Sequence, residues 1–347
     1  MSANFITPQR PLTWLITGFS SSFGLSLARL VQANGHNLIA TSRNPARTLD
    51  LVAEVERAGG KWLALNVDDK KIGELISNLE NSGQEVDVLV NNAGYSIYAP
   101  VESFTEEEIQ AQTETVYFGP FRLIRSVLPY MRKRRFGIIV NMSSGADLEG
   151  RDSMGAYAAA KLRLMRLITR IPGLSRVMAK EVAPFNIRVL TVQQGTFNTN
   201  MGNATILGKN PLPDAYKGSV ADQIMQFMAS GKFQGDGDKD RAMKAVDEVV
   251  VGERLGAGRE SERLLPLGRD MATGIKTVQD YLHNRFSTLI GILSSNVIKL
   301  PFLQTSDSSS YSTEACDVGI SNTSNLLTRI VFTLKRLING DLKCIVL

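Results

Sequence analysis

TGFSSSFG, residues 17–24, connects a short apolar run at residues 12–17 to an amphipathic stretch at residues 23–34. A glycine-containing turn between a strand and a helix lets backbone amides approach a pyrophosphate, whose charge the N-terminus of the helix stabilises. Glycine pairs are common in turns, but this one directly follows the first predicted strand and opens the first predicted helix. The segment therefore predicts a dinucleotide-binding turn.

Short apolar runs and helix-length stretches alternate from here to about residue 192. The apolar runs are rich in β-branched and aliphatic residues and occupy residues 12–17, 37–41, 62–66, 86–90, 137–142 and 187–192. The helical stretches occupy residues 23–34, 47–58, 70–79, 106–135 and 155–183, and a helix (236–251), a strand (264–267) and a helix (272–285) follow. Strands separated by helices predict the α/β class, with a single Rossmann-type, doubly wound parallel sheet and helices on both of its faces.

The composition excludes several kinds of chemistry. Of the 347 residues, 43% are hydrophobic and 21% are charged, and only two cysteines and two histidines occur. A disulfide framework and a cysteine-rich zinc site are excluded, a histidine-based centre is disfavoured, and we expect no metal. The net charge of +5 is spread along the chain. Its densest run, residues 132–135, is interpreted as the cationic end of a helix, so no nucleic-acid partner is expected.

Two motifs give the chain a resemblance to a known family. TGFSSSFG resembles the Thr-Gly-x-x-x-Gly-x-Gly turn of short-chain dehydrogenases/reductases, with a serine in place of the middle glycine, and NNAG at residues 91–94 resembles the family's Asn-Asn-Ala-Gly element. The resemblance covers about residues 11–286 and is closest to fungal members and to the hydroxysteroid and retinol dehydrogenase-like branch. It implies a nicotinamide dinucleotide bound by Gly18, Ser20, Ser22, Phe23, Gly24, Asn92, Ala93 and Gly94.

The end of the second predicted strand indicates which dinucleotide is used. Enzymes that use NAD place an acid here for the ribose 2′-hydroxyl, whereas NADP users place a cation for the 2′-phosphate. This chain has Ser42 and Arg43 and no acid. A guanidinium recognises phosphate through planar, charge-assisted hydrogen bonds, so we expect NADP(H), unless Arg43 is merely a solvated loop cation. Asn66 and Val67 occupy the position of the family's adenine-contacting Asp-Val pair.

The residues YAAAK, from Tyr157 to Lys161, match the Tyr-x-x-x-Lys pattern of the same family. The spacing of four places both side chains on one face of a helix. A phenol has a pKa near 10, and a neighbouring ammonium together with the oxidised nicotinamide would lower it. By register the third member is Ser144 rather than Ser143. The resemblance implies that Ser144 holds the substrate oxygen, that Tyr157 exchanges a proton and that Lys161 also binds the ribose.

Two departures from the family pattern bear on this expectation. Val116 stands where many members have an asparagine that is tied through water to the lysine. Residues 162–172 form an irregular insertion after Lys161 and end in Pro172, which should break the helix and makes the family's usual homo-oligomer doubtful. Two alternatives therefore stay open: a catalytically impaired dinucleotide-binding protein, or an error in the assigned coding sequence of such an enzyme.

The substrate side is predicted to follow the sixth strand. Residues 194–199, QGTFNT, resemble the family's Pro-Gly-x-x-x-Thr segment over the nicotinamide, which adds Phe197 and Thr199 to the cofactor residues. Residues 195–235 would form a substrate lid that contains many flexible apolar side chains, which suit a bulky hydrophobic substrate. The alternative is that these apolar residues are helix faces that pack on the core. They are Met201, Ile206, Leu207, Leu212, Tyr216, Ile224, Met225, Phe227 and Met228.

Together these features predict an NADP(H)-dependent carbonyl reductase or alcohol dehydrogenase of residues 1–286, acting on a hydrophobic ketone or secondary alcohol. Likeness to fungal members suggests secondary metabolism. No signal peptide or membrane span is indicated, so a cytoplasmic protein is expected. Residues 287–347 are an unassigned tail. Its last four residues, CIVL, fit a prenylation signal on Cys344. A chance ending is the alternative to this membrane anchor.

Overall fold

Parallel strands form the centre of the protein, as seen in a computed structural model that describes residues 5–165, 174–200 and 205–294. Within these residues the main sheet contains β1 (Thr13–Ile16), β2 (Asn37–Ser42), β3 (Lys61–Ala64), β4 (Val88–Asn91), β6 (Gly137–Met142), β7 (Ile187–Gln194) and β9 (Leu264–Leu267). Their order is β3-β2-β1-β4-β6-β7-β9, and every neighbouring pair is parallel. Because β1 lies between β2 and β4, the connections run in opposite directions on its two sides, and a crevice opens at the carboxyl ends of the strands.

Helices cover both faces of this sheet. The described helices are α1 (Ser22–Ala33), α2 (Leu49–Arg57), α3 (Ile72–Asn81), α4 (Glu106–Thr113), α5 (Gly119–Arg134), α6 (Ala146–Glu149), α7 (Gly155–Met165), α8 (Leu174–Val182), α9 (Val220–Ala229), α10 (Lys239–Val251) and α11 (Arg269–Ser294). Alternate strand residues enter two separate cores: Trp14 and Ile16 pack with α1 and α10, whereas Leu15 packs with α3, α5 and α8. The predicted α/β fold with a doubly wound parallel sheet is confirmed.

The long helix predicted at residues 106–135 is divided. A capping box begins α4, in which the Thr105 hydroxyl and the Glu108 carboxylate each accept a hydrogen bond from the other residue's backbone amide. A π-helical turn, Glu114–Phe118, then separates α4 from α5. The interpretation of the basic run is confirmed, because residues 132–134 form the last turn of α5 and Arg135 ends it in the left-handed conformation, with φ of 55°.

A second, two-stranded sheet lies in the predicted lid region. It pairs β5 (Ile97–Tyr98) with β8 (Ile206–Leu207) in parallel. Gly208 N donates to Tyr98 O at 3.0 Å, and Lys209 N donates to the buried carboxylate of Glu108 at 2.8 Å. The same carboxylate that caps α4 therefore also anchors the segment after β8.

The residues of the first compact unit extend to Gly274, and a second unit begins at Ile275, within α11. The predicted domain boundary at residue 286 stays a prediction. Residues 166–172 of the predicted insertion, residues 295–347 of the tail and Cys344 lie outside the described residues. Across the part of the chain that the structure describes, no helix combines the length and the apolar character that crossing a membrane requires.

Candidate active site

Gly18 begins the turn at the carboxyl end of β1 in the left-handed region, with φ of +66°. A Cβ atom at this position would lie 2.8 Å from Ala93 Cα. The side chain of Asn92 holds the turn from the opposite side, because its Nδ2 donates to Thr17 O at 2.9 Å and to Gly18 O at 3.0 Å. Only glycine provides both this conformation and this close approach. The predicted glycine turn at residues 17–24 and the predicted NNAG element at residues 91–94 are therefore in direct contact.

Replacing Gly18 with alanine is expected to destabilise the protein by about 2–4 kcal/mol, because a left-handed alanine costs about 1–2 kcal/mol and the clash with Ala93 adds a similar amount. Gly59→Ala is the matched control, since Gly59 also has a positive φ, +79°, but nothing lies within 4 Å of its Cβ position. Denaturant unfolding of both variants measures the difference. Equal losses of stability would contradict the close approach to Ala93.

Ser22, which replaces the middle glycine of the family motif, also takes a left-handed conformation, with φ of 54°. Its hydroxyl accepts a hydrogen bond from Asn200 N at 2.9 Å. The substitution therefore keeps the backbone geometry of glycine and adds a contact to the segment that follows Thr199.

A cleft of about 760 Å³ runs along the carboxyl ends of the strands. A volume of this size suits a cofactor together with a small substrate. All predicted cofactor residues except Gly24 and Phe197 line it. Gly24 lies beneath the turn, where a Cβ atom would be 2.6 Å from Gly18 O. Phe197 differs from the prediction: it is buried and packs edge-on against Phe23, with ring centroids 5.4 Å apart.

Ser42 and Arg43 end β2 at one extremity of this cleft. The hydroxyl of Ser42 accepts a hydrogen bond from Trp62 Nε1 at 3.0 Å, and this contact orients it. Arg43 is exposed, and no ion pair of its guanidinium occurs among the described residues. A cation available beside an oriented hydroxyl fits a phosphate.

Tyr157 and Lys161 both lie on α7 and are both buried, with 7% and 5% of their surfaces exposed. Lys161 Nζ lies 5.7 Å from the centroid of the Tyr157 ring and donates to Met142 O at 2.5 Å. The hydroxyl of Ser144 faces Tyr157, whose pKa it lowers, and it accepts a hydrogen bond from Ala146 N at 3.2 Å. Ser143 instead donates from its hydroxyl to the carboxylate of Asp147. The structure thus brings Ser144, Tyr157 and Lys161 together.

Burial dominates the electrostatics of this group. It raises the pKa of the Tyr157 phenol above its ordinary value, an effect that Asp147 and Tyr98 reinforce and that Ser144 and Arg151 oppose. Burial also lowers the pKa of Lys161 to about 8, while the charge of Asp147 acts in the opposite direction. The residues of the protein alone therefore do not lower the pKa of Tyr157 below that of a free phenol, contrary to the expectation from its spacing to Lys161.

Several residues at the site were missed by the sequence reasoning. Asp68 lines the cleft and accepts a hydrogen bond from Thr115 Oγ1 at 2.9 Å. Asp270 accepts from Thr196 N at 2.8 Å and from Thr196 Oγ1 at 2.9 Å, so it holds the turn after β7. The only signal for Asp270 is its place in the first turn of a helix that follows a strand. Asp147 carries no such signal.

The apolar residues of the lid region divide between the two roles that the sequence left open. Ile206 and Leu207 line the cleft. Met225 and Met228 are buried in a small core with Tyr98, Val116 and Tyr157, against which Leu212 and Ile224 pack. Phe227 is exposed and contacts Phe233, and Tyr216 hydrogen-bonds to Glu102. Met201 lies outside the described residues.

Known proteins share this architecture. The short chain dehydrogenase family model matches residues 13–209. Oxidoreductase claN of Passalora fulva is 37% identical over 216 residues, which are 62% of this chain and 94% of that protein. A 3-ketodihydrosphingosine reductase of Bacteroides thetaiotaomicron is 35% identical over 58% of this chain and 71% of its own. The crystal structure of a short-chain dehydrogenase from Streptomyces avermitilis superposes with a TM-score of 0.70 at 30% identity, over 83% of this chain and 99% of that one. The glycine turn after β1, the Tyr-x-x-x-Lys pair on α7 and these matches show that the chain belongs to the short-chain dehydrogenase family of oxidoreductases.

Proposed function

We propose that this protein is an NADP(H)-dependent carbonyl reductase or alcohol dehydrogenase that acts on a hydrophobic ketone or secondary alcohol. The observation that carries the proposal is the meeting of Ser144, Tyr157 and Lys161, of which Tyr157 and Lys161 line the same cleft as the turn at Gly18 and the cation of Arg43.

Each side chain of the group has a distinct task. The Ser144 hydroxyl hydrogen-bonds to the substrate oxygen and orients the carbonyl. A nicotinamide held in this cleft would supply the hydride for the carbonyl carbon. In the reducing direction Tyr157 would give its phenolic proton to the carbonyl oxygen, so that a secondary alcohol forms. The ammonium of Lys161 stabilises the phenolate that this step leaves and binds the ribose. Burial raises the pKa of Tyr157 and keeps the phenol protonated. Transfer of its proton therefore depends on the positive charges of the Lys161 ammonium and of an oxidised nicotinamide, which favour the phenolate.

The cofactor end of the cleft fits a 2′-phosphate. The exposed guanidinium of Arg43 and the hydroxyl of Ser42 lie together at the end of β2, and no carboxylate replaces them there to bind a ribose 2′-hydroxyl. A phosphate gains charge-assisted hydrogen bonds from such a pair. This arrangement favours NADP(H) over NAD(H).

Apolar side chains line part of the cleft, together with the charged side chains of Glu107, Glu108 and Lys209. Tyr98, Ile206 and Leu207 line it beside Tyr157, and Met225 and Met228 pack behind. Apolar walls with a few converging polar groups suit a hydrophobic substrate with one carbonyl. The name of the 3-ketodihydrosphingosine reductase, a relative that is 35% identical, describes a ketone substrate and supports this class.

Oxidation of NADPH, followed by its absorbance, tests the proposal across ketones of increasing chain length. Turnover with long or cyclic hydrophobic ketones, and much lower turnover with short polar ketones, is expected. The same panel with NADH measures the cofactor preference. Turnover with NADH that equals turnover with NADPH would contradict the assignment of the cofactor.

A second candidate is a protein that binds the dinucleotide without turnover. Val116 favours it, because this side chain is 1% exposed and lies in the same apolar core as Tyr157, where it offers no hydrogen bond toward the lysine. Quenching of protein fluorescence by NADPH, with no oxidation of NADPH across the ketone panel, would support this candidate.

A further inference from the structure

A carboxylate that belongs to none of the family motifs lies beside the catalytic pair. Asp147 is the second residue of α6, the short helix that follows Ser144. The hydroxyl of Ser143 donates to one of its oxygens, and Gln193 Nε2 donates to the other at 2.7 Å. Ser143 and Gln193 are 2% and 5% exposed, so both hydrogen bonds are shielded from water. Burial raises the pKa of the Asp147 carboxyl group, whereas these two hydrogen bonds and the charge of Lys161 act in the opposite direction and favour the carboxylate.

These contacts connect the ends of β6 and β7. Ser143 N donates to Val192 O at 2.7 Å, and Gly145 N donates to Gln194 O at 2.7 Å. Ala146 N donates to the hydroxyl of Ser144 at 3.2 Å. The Asp147 carboxylate therefore ties down, through side chains on both strands, the turn that presents Ser144 to Tyr157.

Lys161 needs a counter-charge. Its ammonium donates to Met142 O, and no carboxylate of the described residues lies within ion-pairing distance of it. A methyl group built at Gly94 would lie 3.9 Å from both Lys161 Nζ and Val116 Cγ2, so the wall that faces the ammonium on this side is apolar. A buried ammonium with apolar surroundings tends to lose its proton. Asp147 accepts a hydrogen bond from Ser143, the residue directly after the Met142 whose carbonyl binds the ammonium, and its negative charge raises the pKa of Lys161.

We propose that Asp147 is a positioning residue of the catalytic pair: its carboxylate keeps the buried Lys161 ammonium protonated, and its two hydrogen bonds hold the turn that carries Ser144. The proposal rests on the proposed function. In this proposal a carboxylate on α6 supports Lys161 electrostatically, which the apolar side chain of Val116 does not do.

The sign of the effect follows from the charges around the pair. Asp147 faces it from α6, Arg151 from the connection between α6 and α7, and Tyr98 from β5. The negative charge of Asp147 raises the pKa of Tyr157 and that of Lys161. Removal of this charge lowers both values, so the whole pH–rate profile moves toward lower pH, whichever direction of the reaction is measured.

Asp147→Asn tests the proposal, because it removes the charge and keeps the shape. Asp152→Asn is the matched control: it removes an equal charge from an exposed position five residues further along the chain. Isotope-edited NMR of the lysine ε-carbons gives the pKa of Lys161 without any turnover, and the signal is assigned by its loss in Lys161→Met. We expect a value of about 8 in the wild type and in Asp152→Asn, and a value lower by on the order of one pH unit in Asp147→Asn.

The pH–rate profile of NADPH oxidation is the second measurement, and it is expected to move in the same direction by a similar amount. If Asp147→Asn does not fold, Asp147→Ser takes its place, because it also removes the charge and leaves an uncharged polar group at this position. An unchanged pKa of Lys161 in the folded variant would overturn the proposal. A wild-type protein without turnover would contradict the proposed function alone, since the NMR titration still decides the role of Asp147.

Discussion

Replacing Tyr157 with phenylalanine is expected to lower kcat for ketone reduction by about a thousandfold, because the variant loses the proton donor of the reaction. The substitution removes only the phenolic oxygen from a side chain that is buried among Tyr98, Val116 and Met225. The ring therefore keeps its packing in the variant, and NADPH binding should change by no more than about threefold. Rates of NADPH oxidation and fluorescence titration with NADPH measure the two effects separately.

Tyr130→Phe is the control for this substitution. Tyr130 lies on α5, packs against the core that Leu15 shares with α3, α5 and α8, and does not line the cleft, so its hydroxyl has no part in the site. We expect wild-type kcat in this variant. A Tyr157→Phe variant that retained wild-type turnover would show that the proton comes from another group.

The second large effect is expected at Arg43. Replacing it with leucine should lower kcat/KM for NADPH by on the order of 10- to 100-fold, since a hydrogen bond to a charged group contributes about 1.5–3 kcal/mol. The value for NADH should stay within about threefold, because NADH lacks the phosphate that this guanidinium binds. Steady-state kinetics with both cofactors at a fixed ketone concentration measure the ratio.

Arg47→Leu is the matched control, because Arg47 is an exposed cation four residues further along the same connection. Removal of this charge reduces the general attraction for a negatively charged cofactor by the same amount but leaves the end of β2 intact. Equal losses in the two variants would indicate a diffuse electrostatic effect and would contradict a specific phosphate contact at Arg43.

Local patterns were sufficient for most of the fold. The strand at residues 264–267 was predicted with the bounds that β9 has, and the glycine turn lies where the sequence placed it. These features depend on side-chain periodicity and on the conformational freedom of single residues such as Gly18. The π-helical turn at Glu114–Phe118 was not predicted, because the apolar period continues through it and the change in hydrogen bonding leaves no mark in the composition.

The choice of Ser144 over Ser143 was predicted from the position of each serine along the chain. Adjacent residues at the end of a strand point in opposite directions, and the two hydroxyls indeed have different partners, Tyr157 and Asp147. The sequence indicated that Ser144 rather than Ser143 belongs to the catalytic group, but it could not identify Asp147 as the partner of Ser143. An isolated aspartate in a connection has no periodicity, and its contact with Gln193 spans 46 residues.

By itself, the sequence determined the family, the order of strands and helices along the chain, and the residue types that meet at the ends of the strands, since each of these is encoded in short stretches with regular spacing. Only the tertiary structure decided the protonation behaviour of the site. The pKa of Tyr157 is raised and that of Lys161 is lowered because distant segments exclude water from both groups, and the charge of Asp147 acts on both of them. Desolvation depends on all the atoms that surround a group, which no spacing along the chain can specify.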